Sequence, residues 1–306
     1  MRPDSWHLTE DLDDFLARAG DFLRSRPALH NTPLTVIEEL RTRERRNREL
    51  RPRRAGGYSA DGTVFGLLEA AGEVRAACYR PPSQRLTLTP LLPEQADSLA
   101  AHLAAVGGPL TGVLADFHTV TAFAGAWQRR TGAESVPGWR ACLHRLGTLT
   151  PPEPPPEGRG RLVGEQDRDQ LIRLCGEFSA SVGEVPAVDA GTWAGSRFAG
   201  RRFTFWETPD GAPVSMAAVT SMIAGMVRVD PVYTPAHLRG RGYAGALVAE
   251  VSRAAQAEGA TDVVLFADPA NPTSTALYRR IGYVPVADFA ACAFSFSRAA
   301  DRTATG

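Results

Sequence analysis

Five prolines crowd into the short segment Thr150-Pro-Pro-Glu-Pro-Pro-Pro-Glu-Gly-Arg-Gly160. Proline fixes φ and has no amide hydrogen to donate, so such a stretch cannot run through a helix interior or a central strand. It is expected to be a stiff, extended linker. Lying midway along 306 residues, it divides the chain into two domains of ordinary size. The expected boundaries are 1–149 for the first domain, 150–160 for the linker and 161–306 for the second. With 43% hydrophobic and 22% charged residues, each half has the material for its own core.

Charge excludes several functions. The 34 basic residues balance 34 acidic ones, which gives no composition-level case for nucleic acid or an anionic membrane surface as partner. None of the basic residues is lysine. A lysine Schiff base and a P-loop lysine are therefore both impossible. Cys78, Cys142, Cys175 and Cys292 are scattered without a CxxC or a pairing pattern, as expected of buried thiols in a reducing compartment. The start, MRPDSWHLTEDLDDFL, is acidic and lacks a continuous apolar core, so no signal peptide is expected there. No run approaches the ~18 apolar residues of a membrane span. A soluble, cytoplasmic protein is the expectation.

Periodicity predicts helices over 11–26 and 31–50, with Thr35-Val-Ile-Glu38 able to cap a helix. Strands are expected at Val64–Leu68, Val74–Tyr79 and Arg85–Thr89, helices at Pro93–Ala105 and His118–Arg130, and a strand at Trp139–Leu146. Past the prolines, Gly164–Phe178 has a helical apolar face. Arg202–Glu207 and Pro213–Thr220 form a hairpin around Asp210-Gly211. Strands at Met226–Thr234, Val263–Ala267 and Ala291–Phe296 alternate with helices at Gly242–Gly259 and Pro272–Ile281.

The segment Val227–Leu247 carries the chemistry. A strand ends at Thr234-Pro235, a connector leads to Arg239-Gly-Arg-Gly-Tyr-Ala244, and a helix begins. This order aims main-chain N–H groups and the positive end of a helix dipole at one point. Gly240 and Gly242 let a ligand approach the backbone, and Arg239 and Arg241 add positive charge, so the loop suits a pyrophosphate. Gly240-Arg-Gly-Tyr-Ala-Gly245 also matches the dinucleotide fingerprint, with Asp268 at the end of the next strand. In that fold, however, the strand runs directly into the first glycine, whereas Pro235–Arg239 intervenes here. A glycine-rich helix entry that binds nothing is a third reading.

Read as Arg/Gln-x-x-Gly-x-Gly/Ala, with Arg239, Gly242 and Ala244, the loop resembles that of the GNAT acyltransferase superfamily. Asn271-Pro-Thr-Ser-Thr-Ala-Leu-Tyr-Arg-Arg-Ile-Gly-Tyr283 resembles the second signature of that superfamily. The resemblance covers about 161–298. It implies an α/β (α+β) fold with a mixed, splayed central sheet flanked by helices, and acyl-CoA lying in the gap where two parallel strands part. Val232, Tyr233 and Thr234 would pair with the pantetheine arm. Arg239, Gly240, Arg241, Gly242, Tyr243 and Ala244 would hold the pyrophosphate, and Asn271 would help fix the cofactor. Tyr278 would protonate the departing thiolate.

The implied reaction is transfer of an acetyl group from acetyl-CoA to a primary amine, by direct attack in a ternary complex, with no metal. A main-chain N–H near Val232 would meet the developing oxyanion, and a tyrosine hydroxyl is a suitable acid for the leaving sulfur. Glu184, Asp230 and the connector residue His237 are candidates for the base, against ordinary structural roles for each. The acceptor would be a small molecule. A non-catalytic acyl-CoA sensor is the alternative.

The first half repeats the coarse order of elements. Leu88-Thr-Pro90 stands where Tyr233-Thr-Pro235 stands in the second half, but Pro93-Glu94-Gln95 supplies neither glycine nor positive charge. A degenerate copy without a phosphate loop is expected there, in a tandem plan like that of some two-domain GNAT proteins.

Overall fold

The computed structural model describes residues 5–50, 62–82, 84–108, 110–183, 189, 191–193 and 196–296, apart from the side chains of 44 and 46–50. The chain forms two compact units. One comprises 1–141 and 287–306; the other is Cys142–Val286. The division thus falls before the prolines, which belong to the second unit, and the last strand segment returns to the first.

In the first unit, β1 (Ser5–Thr9) is followed by α1 (Leu12–Arg24) and α2 (Asn31–Leu50). Asp11 caps α1, its carboxylate accepting from the N–H groups of Asp13 and Asp14. Helix α2 begins at Asn31, so Thr35 lies inside it and donates to the Asn31 carbonyl instead of capping. Then come β2 (Val64–Ala70), β3 (Glu73–Arg80), β4 (Leu86–Leu88), α3 (Pro93–Val106), β5 (Gly112–Asp116) and α4 (Phe117–Thr131). Strands β1 to β4 pair antiparallel in chain order, β4 and β5 pair parallel, and Phe289–Ala293 pair antiparallel with β5. Leu99, Phe123, Trp127 and Val113 centre a core between this sheet and helices α3 and α4.

The second unit takes in the end of β6 (Glu134–Leu146), then β7 (Arg159–Leu162), α5 (Arg168–Ser181), β8 (Arg202–Glu207), β9 (Pro213–Val219), β10 (Met226–Tyr233), α6 (Tyr243–Ala257), β11 (Asp262–Ala267), α7 (Pro272–Arg280) and the start of β12 (Tyr283–Ser295). Its strands run in the order β7-β8-β9-β10-β11-β6. Only β10 and β11 pair parallel. Alternation along β9 explains the two faces. Ala217 and Val219 join Leu247, Val251 and Tyr283 under α6 and α7, whereas Met216 and Ala218 join Phe205, Leu174 and Phe198 under α5. The β8–β9 hairpin turns at Asp210-Gly211 as expected, with Gly211 at φ +81°.

Both units have the mixed, splayed sheet flanked by helices that the resemblance implied. Among the described residues no helix is long and apolar enough to cross a membrane.

Candidate active site

Strand β10 parts from its parallel neighbour halfway along. It pairs with β11 at Met226↔Asp262, Val227↔Val263 and Arg228↔Val264, and the pairing goes no further. Strand β11 continues to Ala267, held on its other side by Cys142–Arg145. On the β9 side, the register of β10 shifts between Val229 and Val232, with Pro231 inside the shift. A proline has no N–H for a ladder, so a strand that contains one bends or bulges there. That signal stood in the sequence and marks where the gap opens. Beyond Arg228, the main-chain groups of β10 that face β11 have no ladder partner from it, and Val232, Tyr233 and Thr234 lie on this stretch.

The connector from β10 makes a single 3-10 turn, Ala236–Leu238, before α6. Gly240 and Gly242 both have positive φ, +78° and +83°. A Cβ on Gly240 would meet nothing within 4 Å, so it is the backbone conformation, not space, that calls for glycine. Gly242 is the N-cap of α6 and brings no side chain to cap it. Tyr243, Ala244 and Gly245 occupy the first three helical positions, whose N–H groups have no acceptor within a helix. No acidic residue stands in that first turn. Arg239 donates from Nε to the Thr234 carbonyl at 2.9 Å, and its guanidinium lies 5.9 Å from the centre of the Tyr233 ring. Among the described residues, neither Arg239 nor Arg241 is paired with a carboxylate. The proline segment lies against this helix start. A Cβ on Gly242 would meet Pro156 at 3.8 Å, and one on Gly245 would meet Pro152 at 3.5 Å.

These groups fit a diphosphate: N–H donors at a helix N-terminus without a side-chain cap, and two guanidinium groups that no carboxylate among the described residues pairs with. The exposure of Arg239, Gly240, Arg241 and Gly242 leaves them accessible to a ligand.

Tyr278, on α7, is buried at 8% exposure, with its ring edge-on to Tyr283 at 6.2 Å. Its hydroxyl makes no hydrogen bond with another described residue. Burial, with a further push from the Asp230 carboxylate, raises its pKa to about 12, so it holds its proton at neutral pH. Asn271 caps α7, its Oδ1 accepting from the Ser274 N–H at 3.1 Å, which leaves its amide nitrogen for other partners. His237 is exposed on the connector.

Asp230 is poorly suited as a base. Burial raises its pKa, but Arg201, Arg197 and Arg228 outweigh that and bring it down to about 2. Arg201 Nη1 lies 2.7 Å from its carboxylate and Arg197 Nη1 3.4 Å. A carboxylate held so firmly ionised takes up a proton reluctantly at neutral pH. Glu184, the other carboxylate candidate, lies outside the described residues.

The sequence reading missed two arrangements. Tyr233 donates its hydroxyl to Glu177 of α5 at 3.2 Å, and Ser215 donates to the Tyr233 carbonyl at 3.1 Å while bonding Thr234 Oγ1 at 2.8 Å. These contacts fix the end of β10 from both neighbours. The thiols Cys78 and Cys175 are both pushed up to about 12 by burial and act as apolar filling.

A family model described as FR47-like protein matches residues 216–289, from β9 through α7 into β12. No curated protein matches the chain. Among solved structures, the chain is similar to a GCN5-related N-acetyltransferase from Sphaerobacter thermophilus. Identity is 19%, the TM-score 0.58, and the match covers 96% of each chain. It is also similar to a Drosophila protein, at 14% identity and TM-score 0.58, over 95% of this chain and 99% of that one. A tandem GNAT protein from the clavulanic acid biosynthesis pathway matches at 14% identity and TM-score 0.51, over 95% of this chain and 98% of that one. These likenesses show that the chain shares its fold with GCN5-related N-acetyltransferases, and residues 216–289 carry the FR47-like pattern.

Proposed function

We propose that the second unit is an acyl-CoA-dependent N-acyltransferase, transferring acetyl from acetyl-CoA to a primary amine on a small molecule by direct attack in a ternary complex. The observation that carries this reading is the end of β10–β11 pairing at Arg228↔Val264, just ahead of an uncapped, positively charged helix start at Gly242. A gap between parallel strands offers main-chain groups to an extended amide chain, and the helix start offers donors to its diphosphate.

Bound acetyl-CoA would supply the activated acyl group. Arg239 to Ala244 would hold the diphosphate, with Asn271 helping through its amide nitrogen. Val232, Tyr233 and Thr234 would align the pantetheine arm. An N–H of the freed β10 edge would polarise the carbonyl. Tyr278 keeps its hydroxyl proton and, among the described residues, has no partner for it, as a group that protonates a leaving thiolate requires. The first unit is proposed to be a copy without a phosphate loop that supports the second.

Calorimetry with acetyl-CoA and a thiol-release assay over a panel of primary amines test the reading together. Micromolar binding with turnover supports it; binding without turnover on any amine favours a sensor, and absence of binding removes it. Tyr278→Phe is expected to lower kcat roughly 100-fold or more while changing acetyl-CoA affinity less than about twofold. Unchanged kcat would remove Tyr278 from the reaction.

A further inference from the structure

A cavity of about 370 Å³ lies in the first unit, on residues that take no part in the site above. Its floor is one face of the sheet. Leu8 stands opposite Gly66, and Gly66 opposite Cys78. One pleat further along the same face, Val64 stands opposite Arg80, and Glu10 follows Thr9, whose partner is Phe65. Glu10, Val64 and Arg80 therefore form a row across the strand ends, and all three line the cavity. Its other walls are the last turn of α3 and the residues after it, Leu103, Val106 and Leu110, with Leu86 and Trp127.

Among the described residues, Arg80 and Glu10 are paired neither with each other nor with any other charged side chain. Adjacent strands lie about 4.8 Å apart, so two steps across the sheet separate their backbones by roughly 10 Å. Val64 fills the middle of that span. The last turn of α3, which lines the cavity, carries no basic side chain, and the carbonyl end of the helix adds negative potential there. A cation and an anionic region thus flank an apolar pocket of a size that small ligands fill.

The geometry points to a binding site in the first unit for the zwitterion of an apolar α-amino acid. Its side chain enters among Leu86, Leu103 and Leu110, its carboxylate meets Arg80, and its ammonium meets Glu10 and the carbonyl end of α3. A free acid leaves Glu10 opposed to its carboxylate, and a free amine leaves Arg80 without an anion, so either alone is recognised less well. The site is independent of the proposed transferase reaction. Its location also differs from that of the degenerate loop, since it opens beside the end of α3 and not the beginning.

Calorimetry on the full chain tests the proposal, with L-phenylalanine as the probe and 3-phenylpropionate and phenethylamine as its deaminated and decarboxylated counterparts. L-Phenylalanine is expected to bind saturably, and each counterpart at least ~10-fold more weakly. Arg80→Met and Glu10→Gln change exposed or half-buried side chains and should fold normally, each weakening L-phenylalanine by ~10-fold. Leu103→Trp, which fills the pocket and leaves both charges, should abolish binding with little change in Tm. Absence of saturable heat up to ~10 mM, equal affinity for the counterparts, or undiminished affinity in Arg80→Met and Glu10→Gln would overturn the site.

Discussion

The two units handle the same local problem, the start of a helix after a strand that leaves a parallel neighbour, in opposite ways. In the first unit, α3 opens with Pro93, which has no N–H to satisfy, and the Leu92 N–H is taken by Gln95 Oε1 at 3.0 Å. Glu94 adds a negative charge to its first turn, and Thr119 Oγ1 accepts from the Leu91 N–H at 2.8 Å. In the second, α6 opens on Gly242 with no side-chain cap, no acid in its first turn and two arginines alongside that no described carboxylate pairs with. One helix start carries a proline, an acid and a glutamine that bonds back to the chain; the other carries none of these. An anion site is built as much by withholding internal acceptors as by adding charge.

The largest expected effect comes from closing the open start. Gly242→Val places a β-branched side chain at φ +83°, a conformation L-residues adopt at a cost of about 1–2 kcal/mol, and shifts the N–H groups at the start of α6. Acetyl-CoA affinity should fall by roughly 100-fold or more in calorimetry, with a small loss of Tm. A variant that binds normally would mean that the helix start is not where the donor is held. Replacing the charges is expected to do less. Arg239→Gln with Arg241→Gln should weaken acetyl-CoA by ~10- to 30-fold at low salt, and the deficit should shrink as ionic strength rises. Salt-independent loss would point to altered loop structure instead.

A third contrast concerns the strand ends themselves. In the first unit, the residue after β4 is tied neutrally: Thr89 Oγ1 accepts from the Ala77 N–H at 2.9 Å and donates to the Ala77 carbonyl at 3.1 Å. In the second, Asp230 ties β10 to Arg201 by charge, with its folded pKa depressed to about 2. A depressed carboxylate pKa contributes stability that is present above the unfolded value near 3.8 and is lost as pH falls through about 2. Asp230→Asn should therefore cost about 2 kcal/mol at pH 7. The gap from the unchanged protein should narrow between about pH 4 and pH 2. Hydrogen exchange in acid should show β10 losing protection before β4. Equal loss in both would remove the ion pair as the cause.

How far the sequence carried these conclusions depended on range. The loop from Arg239 to Ala244, the helix behind it and the Asp210-Gly211 hairpin were legible because each is set by residues a few positions apart. The partner of Asp230 was not: Arg201 is 29 residues away and meets it only once β8, β9 and β10 have paired. Nor could alternating hydrophobicity show that Ala287–Ser295 joins the first unit while Cys142–Leu146 joins the second, because a strand pattern fixes a face and not a neighbour. Strand β7, Arg-Gly-Arg-Leu, was hidden in the proline segment, carrying too little apolar sequence to announce itself. Its place is set by pairing with β8, where Arg159 stands opposite Glu207.

The smallest effect tests the other side of the comparison. Gln95→Ala removes the acceptor for the Leu92 N–H, and Glu94→Ala removes the negative charge at the start of α3. Losing a cap of this kind costs about 0.5–1 kcal/mol, so the pair of changes should lower Tm by a few degrees. Acetyl-CoA binding to the full chain should keep the same affinity and stoichiometry, because α3 still opens on Pro93, with no glycine for a close main-chain approach and no arginine beside it. A second equivalent of acetyl-CoA bound by the double variant would show that those two side chains alone kept the first unit shut. The lack of a glycine loop would then be incidental to the difference between the halves.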